Sequence, residues 1–162
     1  MVVLFCWILT ADAWTGPDDD HGPESFRVVL QRLIRAAREN LRPLKTFRVE
    51  QYPGRLYWYE VETALPDAVQ CRIYEHPAMV YVCEMRTPPG ITPQAVHAAT
   101  VQRFSEALGV ADWKVRRDSA SVTTLEPVDA TRNPQFSFRL TNTAVEVTIF
   151  SVTRPAFTPL PR

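Results

Sequence analysis

The 162-residue sequence predicts an α+β fold: an antiparallel β-sheet of about eight strands with two helices on one face, formed by internal duplication of a helix-hairpin-hairpin unit. Three observations carry this expectation. Residues 69–85 read as two apolar strands around a turn at Pro77, with Cys71 opposite Cys83, Ile73 opposite Tyr81 and Val69 opposite Met85. Residues 24–41 and 92–108 have the three-and-four spacing of amphipathic helices. The order helix, hairpin, loop, hairpin then occurs twice.

In chain order, residues 1–13 come first. Val2 to Thr10 is an apolar run followed by Ala11-Asp12-Ala13, the small-x-small pattern of a signal-peptide cleavage site, although no basic segment precedes it. The expectation is a cleaved leader and an exported, periplasmic or secreted protein. A buried strand in a cytoplasmic protein is the alternative. The run is too short for a stable membrane span, which takes about 20 residues. Residues 14–23 form an acidic linker containing Asp18, Asp19, Asp20 and His21. Consecutive side chains do not converge on one ion and the calcium-loop spacing is missing, so no metal is expected there.

The first helix places Phe26, Leu30, Leu33, Ile34, Ala37 and Leu41 on one stripe and Arg27, Gln31, Arg35 and Arg38 on the opposite face, and Pro43 stops it. Residues 46–52 and 55–63 follow as strands, joined at Pro53-Gly54, where proline supplies the fixed φ and glycine the positive φ of a type II turn. The second of these strands turns Tyr57, Tyr59 and Val61 to one face and Leu56, Trp58 and Glu60 to the other. After the 69–85 hairpin, Pro88-Pro89-Gly90 breaks the chain. Thr92 caps the second helix and Pro93 opens it. Val101, Phe104 and Leu108 form its buried stripe, His97 lies at the stripe's boundary, and Gly109 ends the helix. Residues 112–118, 121–125, 135–141 and 144–153 are the remaining strands, and 154–162 form a proline-rich tail.

The duplication relates 24–88 to 92–153. Leu30-Gln31-Arg32-Leu33 resembles Val101-Gln102-Arg103-Phe104, and Cys71-Arg72-Ile73 aligns with Phe138-Arg139-Leu140. With a turn one residue shorter at Asn142-Thr143, Tyr81 and Cys83 align with Val147 and Ile149, so Phe138 and Ile149 are expected where the first half has its two cysteines. This pattern reads Cys71–Cys83 as a structural disulfide rather than a redox centre. Loss of Cys6 with the leader would leave an even count, as an oxidising compartment favours. The layout is shared by helix-grip proteins, saddle-shaped two-repeat domains and small secretion chaperones, a likeness that implies no function.

Lys plus Arg and Asp plus Glu number 18 each, which argues against a basic nucleic-acid binder. Phosphate loops, nucleophile elbows and His/Cys metal motifs are absent from the sequence, so no catalytic residue, cofactor or metal is assigned. The leading expectation is a non-enzymatic binding or protein-interaction module for an unknown protein or small-molecule partner. Its site would lie either on the open sheet face or in the gap between helices and sheet, with Tyr57, Trp58, Tyr59, Arg72 and Arg139 as candidate ligand-binding residues. A small secretion-type chaperone or assembly factor, working as a homodimer, is one alternative. The other is a hydrolase built on the strand carboxylates Glu50, Glu60, Glu62, Glu75 and Glu84.

Overall fold

The computed structural model describes residues 23–52, 56–75, 78–109 and 111–152. The expected leader, most of the acidic linker, the Pro53-Gly54 turn, His76 and Pro77, and the tail lie outside the described residues. Within them the element order is α1 (Pro23–Arg38), β1 (Lys45–Tyr52), β2 (Leu56–Val61), β3 (Ala68–Tyr74), β4 (Val80–Met85), α2 (Pro93–Leu108), β5 (Trp113–Arg117), β6 (Val122–Pro127), β7 (Phe136–Leu140) and β8 (Val145–Phe150). The strands form one antiparallel eight-stranded sheet in the order β1-β2-β3-β4-β8-β7-β6-β5. The two four-stranded runs meet at β4 and β8, leaving β1 and β5 as edges.

Burial alternates along the central strands, as the pleat requires. Tyr81, Cys83, Val145, Val147 and Ile149 are fully enclosed beside Ile73 and Phe138, while their neighbours in sequence face the other way. Both helices close over this apolar face. From α1 come Phe26, Leu30, Leu33, Ile34 and Ala37, the expected stripe, and from α2 comes Phe104. The Phe104 ring is the keystone, standing 5.1 Å from Phe26, 5.6 Å from Phe136 and 5.0 Å from Phe138 in edge-on contacts.

The first helix ends before Pro43 is reached. After Arg38 the chain turns through the left-handed region at Asn40 and Leu41, and Leu41 N–H closes onto Ala36 O at 2.7 Å. Leu41 remains in the core, but outside the helix. Pro43 instead occupies a 3-10 turn, Arg42–Leu44, that leads into β1. At the start of α2, Thr92 Oγ1 accepts from Ala95 N–H at 3.2 Å with Pro93 in the first turn. Gly109 ends the helix at φ 80°.

The bridge Cys71–Cys83 forms between directly paired positions of β3 and β4, and Ile73 faces Tyr81 as expected. The expected Val69–Met85 pair does not form. A β-bulge between Ala68 and Gln70 puts Ala68 opposite Met85, and Val69 is left 59% exposed. In the second half the turn at Asn142-Thr143 is closed by Thr141 N–H to Ala144 O at 2.9 Å. Phe138, however, stands opposite Val147, and it is Phe136 that faces Ile149. The expected Phe138–Ile149 pair therefore does not form. His97 is half-buried with Nε2 3.3 Å from Phe138 O, a boundary residue with its hydrogen bond made. No helix among the described residues is long and apolar enough to cross a membrane.

Candidate functional site

Alternation along β2 divides the five expected ligand-binding residues between the sheet's two faces. Tyr57 and Tyr59 point to the helix side, where Tyr59 packs against the core. There the Glu75 carboxylate accepts from Lys45 Nζ and, at 2.9 Å, from the Tyr57 hydroxyl, while Lys45 also lies 4.4 Å from the Tyr59 ring centre. The hydrogen bond to Glu75, followed by burial, raises the Tyr57 hydroxyl above its ordinary pKa. Arg48, 3.9 Å from the Tyr57 ring centre, completes this polar cap on the core.

Trp58 and Arg72 meet on the open face, with the guanidinium 4.4 Å from the indole ring centre and Trp58 Nε1 donating to Glu60 Oε1 at 3.0 Å. The arginine Nε is buried without a hydrogen-bond partner among the described residues. Arg139 is on β7, four places along the sheet from β2, with Nη2 donating to both carboxylate oxygens of Glu146 at 2.8–3.0 Å. The structure thus brings Trp58 together with Arg72, and Tyr57 with Tyr59. It does not bring all five residues into one site.

The gap between helices and sheet contains a cavity of about 290 Å³. Its apolar wall comes from Phe26 at the start of α1, Met85 at the end of β4, Pro88 and Ile91 in the following loop, and Val96 and Phe104 on α2. Asp67, Arg86 and Arg103 bring charge to it. Arg103 Nη1 pairs with Asp67 Oδ2 at 2.8 Å, and the same guanidinium stands 4.3 Å from the Phe26 ring centre. One arginine on α2 therefore ties together α1 and the β2–β3 loop. Asp67 is itself placed by a positive φ of 68°, and its carbonyl accepts from Arg86 N–H at 2.8 Å.

A second cavity of about 330 Å³ lies beside the β6–β7 loop, where Glu126, Asn133, Gln135 and Ser151 make its lining more polar. None of the five strand glutamates lines either cavity. Glu50 is paired with Arg48, Glu60 with the indole of Trp58, and Glu75 with Lys45. Among the described residues no group of three or more His, Cys, Asp or Glu side chains is gathered as metal ligands would be. The exposed large apolar residues Val28, Phe47, Val69, Val115 and Val128 sit on five different segments.

The cavity's residues were passed over in sequence because each had a local explanation. Phe26 and Phe104 read as parts of helix stripes, Pro88 as part of a chain break, and Arg103 only as part of the repeat. The available signal was a pair of small residues at the start of α2, Ala95 and Ala99, on the side of the helix that lines the cavity. Comparison with protein-family models, with curated proteins and with solved structures returns no match for this chain.

Proposed function

We propose that this protein is a non-catalytic binding module of an oxidising compartment outside the cytoplasm, and that it takes its ligand into the cavity between α1, α2 and the end of β4. The observation that carries the reading is the cavity itself: about 290 Å³, walled by Phe26, Met85, Ile91 and Phe104, with an ion pair across Asp67 and Arg103 at one side. Concave, mostly apolar sites with a few placed polar groups are the usual form of small-molecule sites. The compartment is supported by the enclosed Cys71–Cys83 bridge and by the signal-like run at residues 2–13. The absence of catalytic motifs from the sequence, and the engagement of Glu50, Glu60 and Glu75 by neighbouring side chains, favour binding over hydrolysis.

A neutral, environment-sensitive dye tests the site. N-phenyl-1-naphthylamine should brighten on mixing with the protein, and Ala99→Trp, a substitution at an exposed position lining the cavity, should remove most of the increase without changing the circular dichroism spectrum. Equal fluorescence with both proteins would reject this cavity as the site.

A further inference from the structure

We infer that the ligand is a small monocarboxylate with an apolar body of roughly eight to ten carbons, its hydrocarbon inside the cavity and its carboxylate on Arg86. This deepens the reading of the cavity as the binding site and rests on it. Size comes first. At about 290 Å³ the space exceeds the roughly 150 Å³ that admits a benzene ring, and it matches a medium-length chain or a substituted ring rather than a long acyl tail.

The lining then sets the body's polarity. Phe26, Met85, Pro88, Ile91, Val96 and Phe104 offer no side-chain group able to hydrogen-bond a hydroxylated ligand, and the Thr100 hydroxyl in the same lining already donates to Val96 O at 2.7 Å. A polar body would leave its own groups unmet there.

The head group follows from the charges. Three ionic residues line the cavity: Asp67, Arg86 and Arg103. Two cancel, because Arg103 is fixed between Asp67 and the Phe26 ring. Arg86 is exposed and forms no ion pair among the described residues. Its backbone is held in place by the hydrogen bond to Asp67 O. The unmatched charge at the cavity is therefore positive, and its planar fork suits a carboxylate. Next to it in sequence, Thr87 Oγ1 is buried with no hydrogen-bond partner among the described residues. An ammonium head would meet this arginine unfavourably, and an alcohol would gain nothing from its charge.

Isothermal titration of the full chain with octanoate, 1-octanol and octylammonium at one ionic strength separates these contributions. Octanoate should bind at least tenfold more tightly than octanol, and octylammonium should bind weakest. Arg86→Ala should bring octanoate down to the octanol affinity and leave octanol unchanged, Arg86→Lys should keep part of the preference, and Ala99→Trp should weaken both ligands. Octanol binding as tightly as octanoate, or a carboxylate preference that survives Arg86→Ala, would overturn the head-group assignment while leaving the cavity as the site. Failure of all three ligands to bind, or affinities untouched by Ala99→Trp, would overturn both.

Discussion

Reduction of the Cys71–Cys83 bridge should lower the melting temperature by about 10 °C, a figure that follows from loop length and domain size. The cysteines are separated by 12 positions, and closing a loop of that length removes about 9.5 cal/mol/K from the unfolded chain, or about 2.8 kcal/mol at 25 °C. An unfolding entropy of about 2.1 cal/mol/K per residue over the 124 described residues totals about 260 cal/mol/K, and the ratio of the two gives the shift. The assay is differential scanning calorimetry with and without dithiothreitol, beside the double substitution Cys71→Val and Cys83→Val. The substituted protein should melt near the reduced one and ignore the reductant, which also separates this bridge from any effect at Cys6. A shift below about 2 °C would refute the reasoning, because the two strands would then be held equally well without the covalent link.

Phe104→Ala should cost about 3–5 kcal/mol in urea unfolding, since a fully buried ring with three aromatic neighbours is removed from the point where both helices meet the sheet. A loss under about 1 kcal/mol would mean that the surroundings collapse into the space. Acid sensitivity should involve Asp118, whose carboxyl is held below its ordinary pKa by the Thr124 hydroxyl and, more weakly, by Arg116. A depressed folded-state pKa contributes stability above the unfolded value of about 4 and loses it as pH falls through the lower folded value. Urea unfolding at stepped pH should therefore show a shallower acid loss for Asp118→Asn than for the natural chain, and parallel curves would exclude the contribution.

The fold was legible wherever one residue's position forced its neighbour's. Once Cys71 was set opposite Cys83, strand alternation placed Ile73 and Tyr81 in the core. The stripe of α1 and the cap of α2 followed equally from spacing and from Thr92-Pro93. Errors arose where an extra residue entered a strand or a turn, because a single sequence contains no signal for slippage. The bulge at Val69 is of this kind, whereas the β7–β8 ladder is regular and differs from the expected Phe138–Ile149 pair by two positions of register. The split of the aromatic strand between two faces followed from alternation, but the partners did not: Tyr57 and Tyr59 lie on the helix side, where Glu75 and Lys45 occupy them, and Trp58 meets Arg72 on the open face. The cavity was hidden because its walls come from three parts of the sequence, Phe26, Asp67 and residues 85–104, and no local pattern records the distance between them.

That distance has an identifiable cause. The spacing of two packed elements is set by the side chains at their contact, and for α2 the contact is Phe104 against Phe136 and Phe138. A ring of that size spaces the helix from the sheet at this contact. In the last two turns Val101, Phe104 and Leu108 occupy the resulting space, but in the first two Ala95, Val96, Ala99 and Thr100 are too short to do so. Close-packed interiors seldom keep an unfilled volume of this size. Here the opening is also strapped from outside, since Arg103, the residue before the spacer, links α2 to the Phe26 ring on α1 and to Asp67 in the β2–β3 loop. Adjacent residues thus do opposite work on one helix: Phe104 keeps the layers apart and Arg103 keeps the walls of the gap from spreading. A helix that carried leucine at positions 95 and 99 would fill the space with ordinary core, which makes the alanines, more than the apolar walls, the sequence feature that leaves room for a ligand.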